Sequence, residues 1–246
     1  MSRVASRVGA MTLFLCLAFA HTSYAGTVTD NFNDNTLDPM WVTRSNSGSF
    51  SATEINHRLE LTIAGDDVFG GVGLRWLALG NFDFQVGYSL LTDIHGFNHD
   101  EDQSGAGIGA FSLGILVAQF PVSVLNQPPP GGVYAAVEGD TLYGDALTSD
   151  LSGKFRLTRV GNVYTGYYWG AGDWISLGSG TSSKTGPADL SLNVFADGGA
   201  TVSAAFDDFY LQADGLATPE PSSFALAGIA LGLIGLIGRR PSSGIA

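Results

Sequence analysis

From about residue 27 to residue 213 the apolar side chains recur at every second position, and no stretch carries the 3.6-residue period of a long amphipathic helix. Leu59, Leu61 and Ile63 alternate with Arg58, Glu60 and Thr62. Phe82, Phe84, Val86, Tyr88 and Leu90 alternate with Asp83, Gln85, Gly87 and Ser89, and Leu190, Leu192 and Val194 repeat the pattern. In "GKFRLTRVGNVYTGYYW" two such runs flank Gly161-Asn162, a two-residue turn with glycine first, as a type II′ hairpin requires. A period of two points side chains to opposite faces of a strand. About a dozen strands of this kind predict an all-β chain, an antiparallel β-sandwich or jelly roll. Two long loops interrupt it, residues 92–107 and 120–132, and loops of this length in a compact domain are commonly functional or disordered.

The two ends follow different rules. Arg3 and Arg7 precede an apolar run from Val8 to Ala20, and Ser23 and Ala25 supply the small residues of a cleavage site. That pattern predicts a secretory signal peptide over residues 1–25, removed by signal peptidase after Ala25. Cys16 is the only cysteine and leaves with it, so disulfides, thiolate catalysis and cysteine-based zinc sites are excluded from the mature chain. At the other end Phe224 to Gly238 carries no charge, and a helix of that length covers about 22 Å, short for a bilayer core of about 30 Å. Gly228, Gly232, Gly235 and Gly238 are tolerated better in a membrane helix than in a soluble one. Arg239 and Arg240 follow at once and stay cytoplasmic by the positive-inside rule, which leaves the main domain outside. A single transmembrane helix over about 222–238 is the expectation. Pro219 and Pro221 lack amide donors and hold the chain before it extended.

Pro219-Glu220-Pro221, a short glycine- and leucine-rich span and a terminal arginine pair together resemble the PEP-CTERM sorting signal of exported bacterial proteins. Residues 219–241 carry the likeness, with two arginines where the pattern has three or more, and with a short tail beyond them. The resemblance implies processing by a membrane enzyme, exosortase. It makes the segment an address that holds the chain at the membrane until it is cut, after which the protein lies at the cell surface or in the extracellular matrix.

Within the body, "TDNFNDNTLDPMW", "GKFRLTRVGNVYTGYYWGAGDWISLG" and "AAFDDFYLQ" are similar, in that order, to the opening, a central hairpin and the last strand of concanavalin A-like (laminin-G or glucanase-type) jelly rolls. The resemblance implies one sandwich over residues 26–213, with its first and last strands side by side and residues 214–218 as a linker. It also implies one structural calcium near the ends of those strands, with Asp30, Asn33, Asp207 and Asp208 among the oxygen donors. Turn chemistry is the other reading of "DNFNDNTLD", and an outward edge aspartate the other reading of "FDDF".

Charge and motifs narrow the chemistry. Between Gly26 and Ala217 there are 22 Asp+Glu against 7 Lys+Arg, so 7 − 22 = −15. Such a surface repels phosphate backbones, which argues against nucleic acid and leaves cations, neutral glycans and basic proteins as compatible partners. Jelly-roll glucanases carry paired glutamates on one strand, and here Glu54, Glu60, Glu101 and Glu138 are all isolated. Asp207 and Asp208 are adjacent and should face opposite sides of a strand. No Gly-x-Ser-x-Gly elbow is present, and no catalytic residue is assigned. His57 reads as a turn residue, and the group His95, His99, Asp100, Glu101 and Asp102 reads as a solvated acidic loop rather than a metal site. Aromatic faces stack on sugars, and Tyr164, Tyr168 and Trp174 are the candidate glycan platform, with Trp41, Trp76 and Trp169 assigned to the core. The role these features fit is a non-enzymatic, polysaccharide-associated surface protein. A carbohydrate-active lyase or hydrolase, and an envelope protein without ligand, are the alternatives.

Overall fold

The computed structural model describes residues 24–94, 104–110, 113–119, 132–138 and 141–217. They form fourteen strands: β1 (Tyr24–Asp30), β2 (Trp41–Ser45), β3 (Ser51–Ile55), β4 (Arg58–Gly65), β5 (Val68–Leu90), β6 (Ser104–Ala110), β7 (Leu113–Gln119), β8 (Gly132–Glu138), β9 (Thr141–Thr148), β10 (Ser152–Val160), β11 (Val163–Gly170), β12 (Asp173–Thr181), β13 (Ala188–Ala196) and β14 (Ala200–Ala217). Every pairing is antiparallel. The predicted transmembrane helix, residues 1–23 of the predicted signal peptide and the residues of the acidic loop from His95 to Asp102 lie outside the described residues, while Tyr24 and Ala25, the last two of that predicted peptide, begin β1. Among the described residues no helix is long and apolar enough to cross a membrane.

One strand belongs to both layers of the sandwich. The first part of β5 pairs with β13 from Val68 to Ala78 and with β2 from Gly70 to Leu74. Its second part pairs with β10 from Phe82 to Ser89 and with β14 from Leu77 to Leu90. The change of layer falls at Gly80, whose φ of 64° suits a residue without Cβ. One layer therefore runs β2-β5-β13-β6-β7-β8-β9 and the other β12-β11-β10-β5-β14. On the far side of β14, β4 and β1 lie end to end: β4 pairs with Ala200–Phe206 and β1 with Phe209–Leu216. Asp208 sits between them in a left-handed bulge, φ 51°.

Alternation fills the space between the layers. In β13 the even residues from Ala188 to Ala196 are buried, and in β5 Phe82, Phe84, Val86, Tyr88 and Leu90 are. Phe84, Phe209 and Trp41 meet edge-on, at ring separations of 5.5 and 4.9 Å. Such pairs add about 0.5–1.5 kcal/mol each beyond the area they bury. Tyr88 and Tyr134 cross the core and share a hydrogen bond of 2.7 Å, while the Tyr134 hydroxyl donates to Asp150 Oδ2 at 3.0 Å. Burial pushes Tyr134 up to about 12 and Tyr88 higher, so both stay neutral donors.

The turn between β1 and β2 is held by two carboxylates, the half-buried Asp30 and the buried Glu54. Asp30 accepts from the Phe32 amide (2.9 Å) and from Trp41 Nε1 (2.8 Å). Glu54, 5% exposed, accepts from the Asp34 and Asn35 amides, each at 3.0 Å. Desolvation, with Asp34 alongside, raises the Glu54 carboxyl above its usual range, and burial with Asp208 and Asp30 alongside raises Asp207. Both groups bind their protons more tightly in the folded chain than in the unfolded one. The stability they contribute is full below about pH 4, the ordinary carboxylate range, and is lost as pH rises through their raised values. The melting temperature is therefore expected to rise as buffer moves from about pH 7 toward about pH 5. Glu54→Gln keeps the acceptor and flattens part of that rise, whereas Glu54→Ala orphans two amides and costs about 2 kcal/mol. A wild-type melt that is flat or falling over this window contradicts the assignment.

Candidate functional site: an aromatic groove on the outer face

The outward face of β10, β11 and β12 is built by register. Phe155 and Leu157 are fully buried, so Lys154, Arg156 and Thr158 point out. Across the hairpin Arg156 opposes Tyr167, and Trp169 in turn opposes Trp174 on β12. The result is a strip of alternating rings and cations. Trp169 and Trp174 meet edge-on at 5.2 Å. The Arg156 guanidinium lies 5.3 Å from the Tyr167 ring and 5.7 Å from that of Trp174. Its other edge binds Asp83 through two hydrogen bonds, Nε–Oδ1 at 2.9 Å and Nη2–Oδ2 at 2.6 Å, so that cation is spoken for. Lys154 stands 6.0 Å over the Trp169 ring and makes no ion pair among the described residues.

The hairpin turn is as predicted: Val160 pairs with Val163 across Gly161-Asn162, and Gly161 has φ 63°. The faces of its second strand are the reverse of the expectation. Tyr164 is 1% exposed, lies beneath Arg159 at 5.5 Å and donates to the Lys184 carbonyl at 3.4 Å. Tyr168 stacks on Tyr134 at 4.4 Å and 18°. Both therefore sit on the core side, and an exposed tyrosine pair is not formed. Trp169, assigned to the core from the sequence, is 39% exposed, while Trp41 is buried as expected and Trp76 is half-buried. Trp174 is half-buried on the outer strip. Arg159 fixes the inversion. It is 3% exposed and donates to the carbonyls of Gly161 (3.0 Å), Gly186 (2.7 Å) and Thr185 (2.5 Å).

Trp169 and Lys154 form one wall of a groove of about 530 Å³. Asn56, His57, Arg58, Ser89, Asp207 and Asp208 are among the other residues that line it. Asn56 and His57 are the two central residues of the β3–β4 hairpin, with φ of 56° and 59°. A turn of that hand matches the twist of the strands and favours glycine at its second position. Histidine there is a strained choice, and it sets the imidazole at the groove mouth. Asp207 and Asp208 do not face opposite sides as simple alternation requires. The bulge at Asp208 breaks the period, the Asp208 amide donates back to Asp207 Oδ1 at 2.7 Å, and both residues line the groove.

The four expected calcium donors are brought together only in part. Asp30 spends both carboxylate oxygens on Phe32 and Trp41, and Asn33 is exposed in the turn. Asp30 and Asp208 share only an open recess of about 410 Å³, with Thr29, Asn31, Phe209 and Tyr210. Among the described residues no three His, Cys, Asp or Glu side chains gather to hold a metal ion. A second recess, about 270 Å³, lies on the outer face of the other layer between Phe69, Phe195 and Leu116.

The groove stands well away from the chain ends. Tyr24 pairs with Leu216, so the N-terminal segment and the C-terminal tail leave the sandwich side by side, as the paired-termini expectation requires. From Ala217 back to Asp207 along β14 is roughly 30 Å at about 3.3 Å per residue.

Residues 217–240 match the PEP-CTERM protein-sorting motif, which implies export and handling by an exosortase. No curated protein matches the chain. Among solved structures it is similar to the exoplasmic/lumenal domain of VIP36 in its Ca2+/Man-bound form, at 11% identity and a TM-score of 0.53, over 75% of this chain and 88% of that one. Peanut lectin with a bound 9mer peptide gives 14% identity and 0.53, over 79% of this chain and 100% of that one. GH43B of the Bacteroides ovatus xyloglucan PUL gives 15% and 0.54, over 78% of this chain and 40% of that one. At these identities the likeness is one of fold. The chain thus carries a PEP-CTERM sorting motif behind a β-sandwich of the lectin-like jelly-roll kind.

Proposed function

We propose that this chain is an exported surface or extracellular-matrix protein that binds polysaccharide through the Trp169 groove and performs no chemistry on it. The observation that carries the reading is the groove itself: a part-exposed indole beside polar and charged side chains, on the wall of a sandwich whose tail leaves roughly 30 Å away. An indole face stacks on the apolar face of a pyranose, and the surrounding amide, hydroxyl, imidazole and carboxylate groups match sugar hydroxyls. Signal peptidase removes residues 1–25, and the segment 219–241 holds the chain at the membrane until exosortase acts on it. The domain then passes to the surface with its groove open.

Adsorption to insoluble polysaccharide tests this. The full-length chain in non-ionic detergent is expected to be retained, and Trp169→Ala is expected to lower retention at least about tenfold, since stacking of this kind is worth about 1–3 kcal/mol. The variant should melt with the wild type, because Trp169 lies outside the core. Equal retention of the two proteins contradicts the proposal. A second reading, a carbohydrate-active enzyme, draws on the two carboxylates that share the groove wall. It predicts release of new sugar ends from the retained polymer, whereas the binding reading predicts none.

A further inference from the structure

We infer that the groove takes a polysaccharide bearing protonated amino groups, an inference that rests on the glycan reading above and names its ligand class. Asp207 and Asp208 stand together on the groove wall because of the left-handed bulge between β4 and β1, and neither makes an ion pair among the described residues. The cations nearby do not balance them. Arg58 is held by Glu60 at 2.8 Å, and Glu60 also accepts from Asn56 at 3.2 Å. Among the described residues Lys154 makes no ion pair, and it lies over Trp169, an indole face already furnished with a positive charge. His57, which also lines the groove, is exposed.

Two cations, Arg58 and Lys154, and two carboxylates line the groove, and because Arg58 is already neutralised by Glu60 the local balance near neutral pH is negative. The domain around it reinforces that sign, at −15 between Gly26 and Ala217. A uronate polymer meets repulsion at both ranges, while a polymer of amino sugars meets attraction at both. An alkylammonium on the sugar is also the group that a carboxylate pair recognises through charge-assisted hydrogen bonds. Burial and the charges of Asp208 and Asp30 hold Asp207 above the ordinary carboxylate range against the opposing pull of Arg58, and a further cation relieves that repulsion.

The test compares two matrices with one backbone, chitosan beads (free amines) and chitin beads (acetylated), with alginate beads as the anionic control, in mildly acidic low-salt buffer. The full-length chain in non-ionic detergent is expected to be retained at least about tenfold better on chitosan than on chitin, and not on alginate. Asp207→Asn with Asp208→Asn is expected to remove that preference, so that retention on chitosan falls to the level the same variant shows on chitin. Both changes keep the local backbone: asparagine retains the acceptor for the Asp208 amide and is at home in a left-handed conformation. Asp38→Asn with Asp145→Asn removes two exposed charges outside the groove and is the charge-matched control. Equal retention on chitin and chitosan overturns this inference and leaves the glycan reading standing. The same loss from the control pair as from the groove pair also overturns it, because net charge alone then explains the preference. No retention on any matrix overturns both.

Discussion

Gly144→Ala is expected to cost about 3 kcal/mol, the upper end of what overpacking a well-filled site does. The reason lies where the two layers close on each other. β9 is the edge of one layer and β12 the edge of the other, and they approach through two glycines. A Cβ on Gly144 is driven into the backbone carbonyl oxygen of Leu177, which cannot rotate away as a side chain could. From the other side, Gly178 has φ 143°, and a Cβ there lies 2.7 Å from the Tyr143 carbonyl oxygen. The neighbouring contacts leave no slack: the Tyr143 hydroxyl donates to Glu138 at 2.7 Å, and Ser182 donates to the same carboxylate at 3.1 Å. Urea denaturation should show the midpoint lowered by more than about 1 M, given slopes of about 1–3 kcal/mol per molar. Gly48→Ala, where nothing lies within 4 Å of the new methyl, is the matched control and is expected to change stability by less than about 1 kcal/mol. Equal midpoints for the two variants contradict this closure of the sandwich.

Arg159→Leu is expected to cost about 3–4 kcal/mol, for a different reason. Among the described residues the buried guanidinium has no carboxylate partner in its hydrogen-bond shell. It is held by three backbone carbonyls, and it joins the 161–162 turn to the connection that leads into β13. Leucine fills much of the space and satisfies none of those oxygens. Lysine keeps the charge and loses the planar fork, so Arg159→Lys should fall between. The loosened segment contains Lys184, and trypsin is expected to cut there faster in Arg159→Leu than in the wild type. Unchanged cleavage together with unchanged stability contradicts the role given to Arg159.

Much of this architecture is legible in the sequence, because burial of alternate residues leaves a period of two. The strands around Leu59, Phe82, Phe155 and Leu190, the Gly161-Asn162 hairpin and the pairing of first and last strands all follow from local patterns. The faces of the second hairpin strand were also within reach. Across a two-residue turn, residues 155 and 168, 157 and 166, and 159 and 164 lie opposite each other and share a face. The apolar Phe155 and Leu157 therefore carry Tyr168 and Tyr164 inward and leave Trp169 outside. Counting aromatics strand by strand misses this, because the side of a strand is set by its neighbour. Two features have no local signal. The bulge at Asp208 replaces opposed carboxylates with neighbours on one wall, and it arises because β14 exchanges β4 for β1 there. The passage of β5 through both layers turns on Gly80, one glycine among 34. The sorting motif was legible for another reason: it is read by an enzyme as a linear address, and its order and spacing are the signal.

The central claim, that the Trp169 groove grips sugar, is tested most directly by titrating a soluble amino-sugar oligomer while following tryptophan emission in the wild type, Trp169→Phe and Trp76→Phe. A saturable change in wild-type emission is expected, one that survives in Trp76→Phe and is lost in Trp169→Phe. A wild-type signal that does not move, or one that persists unchanged in Trp169→Phe, contradicts it.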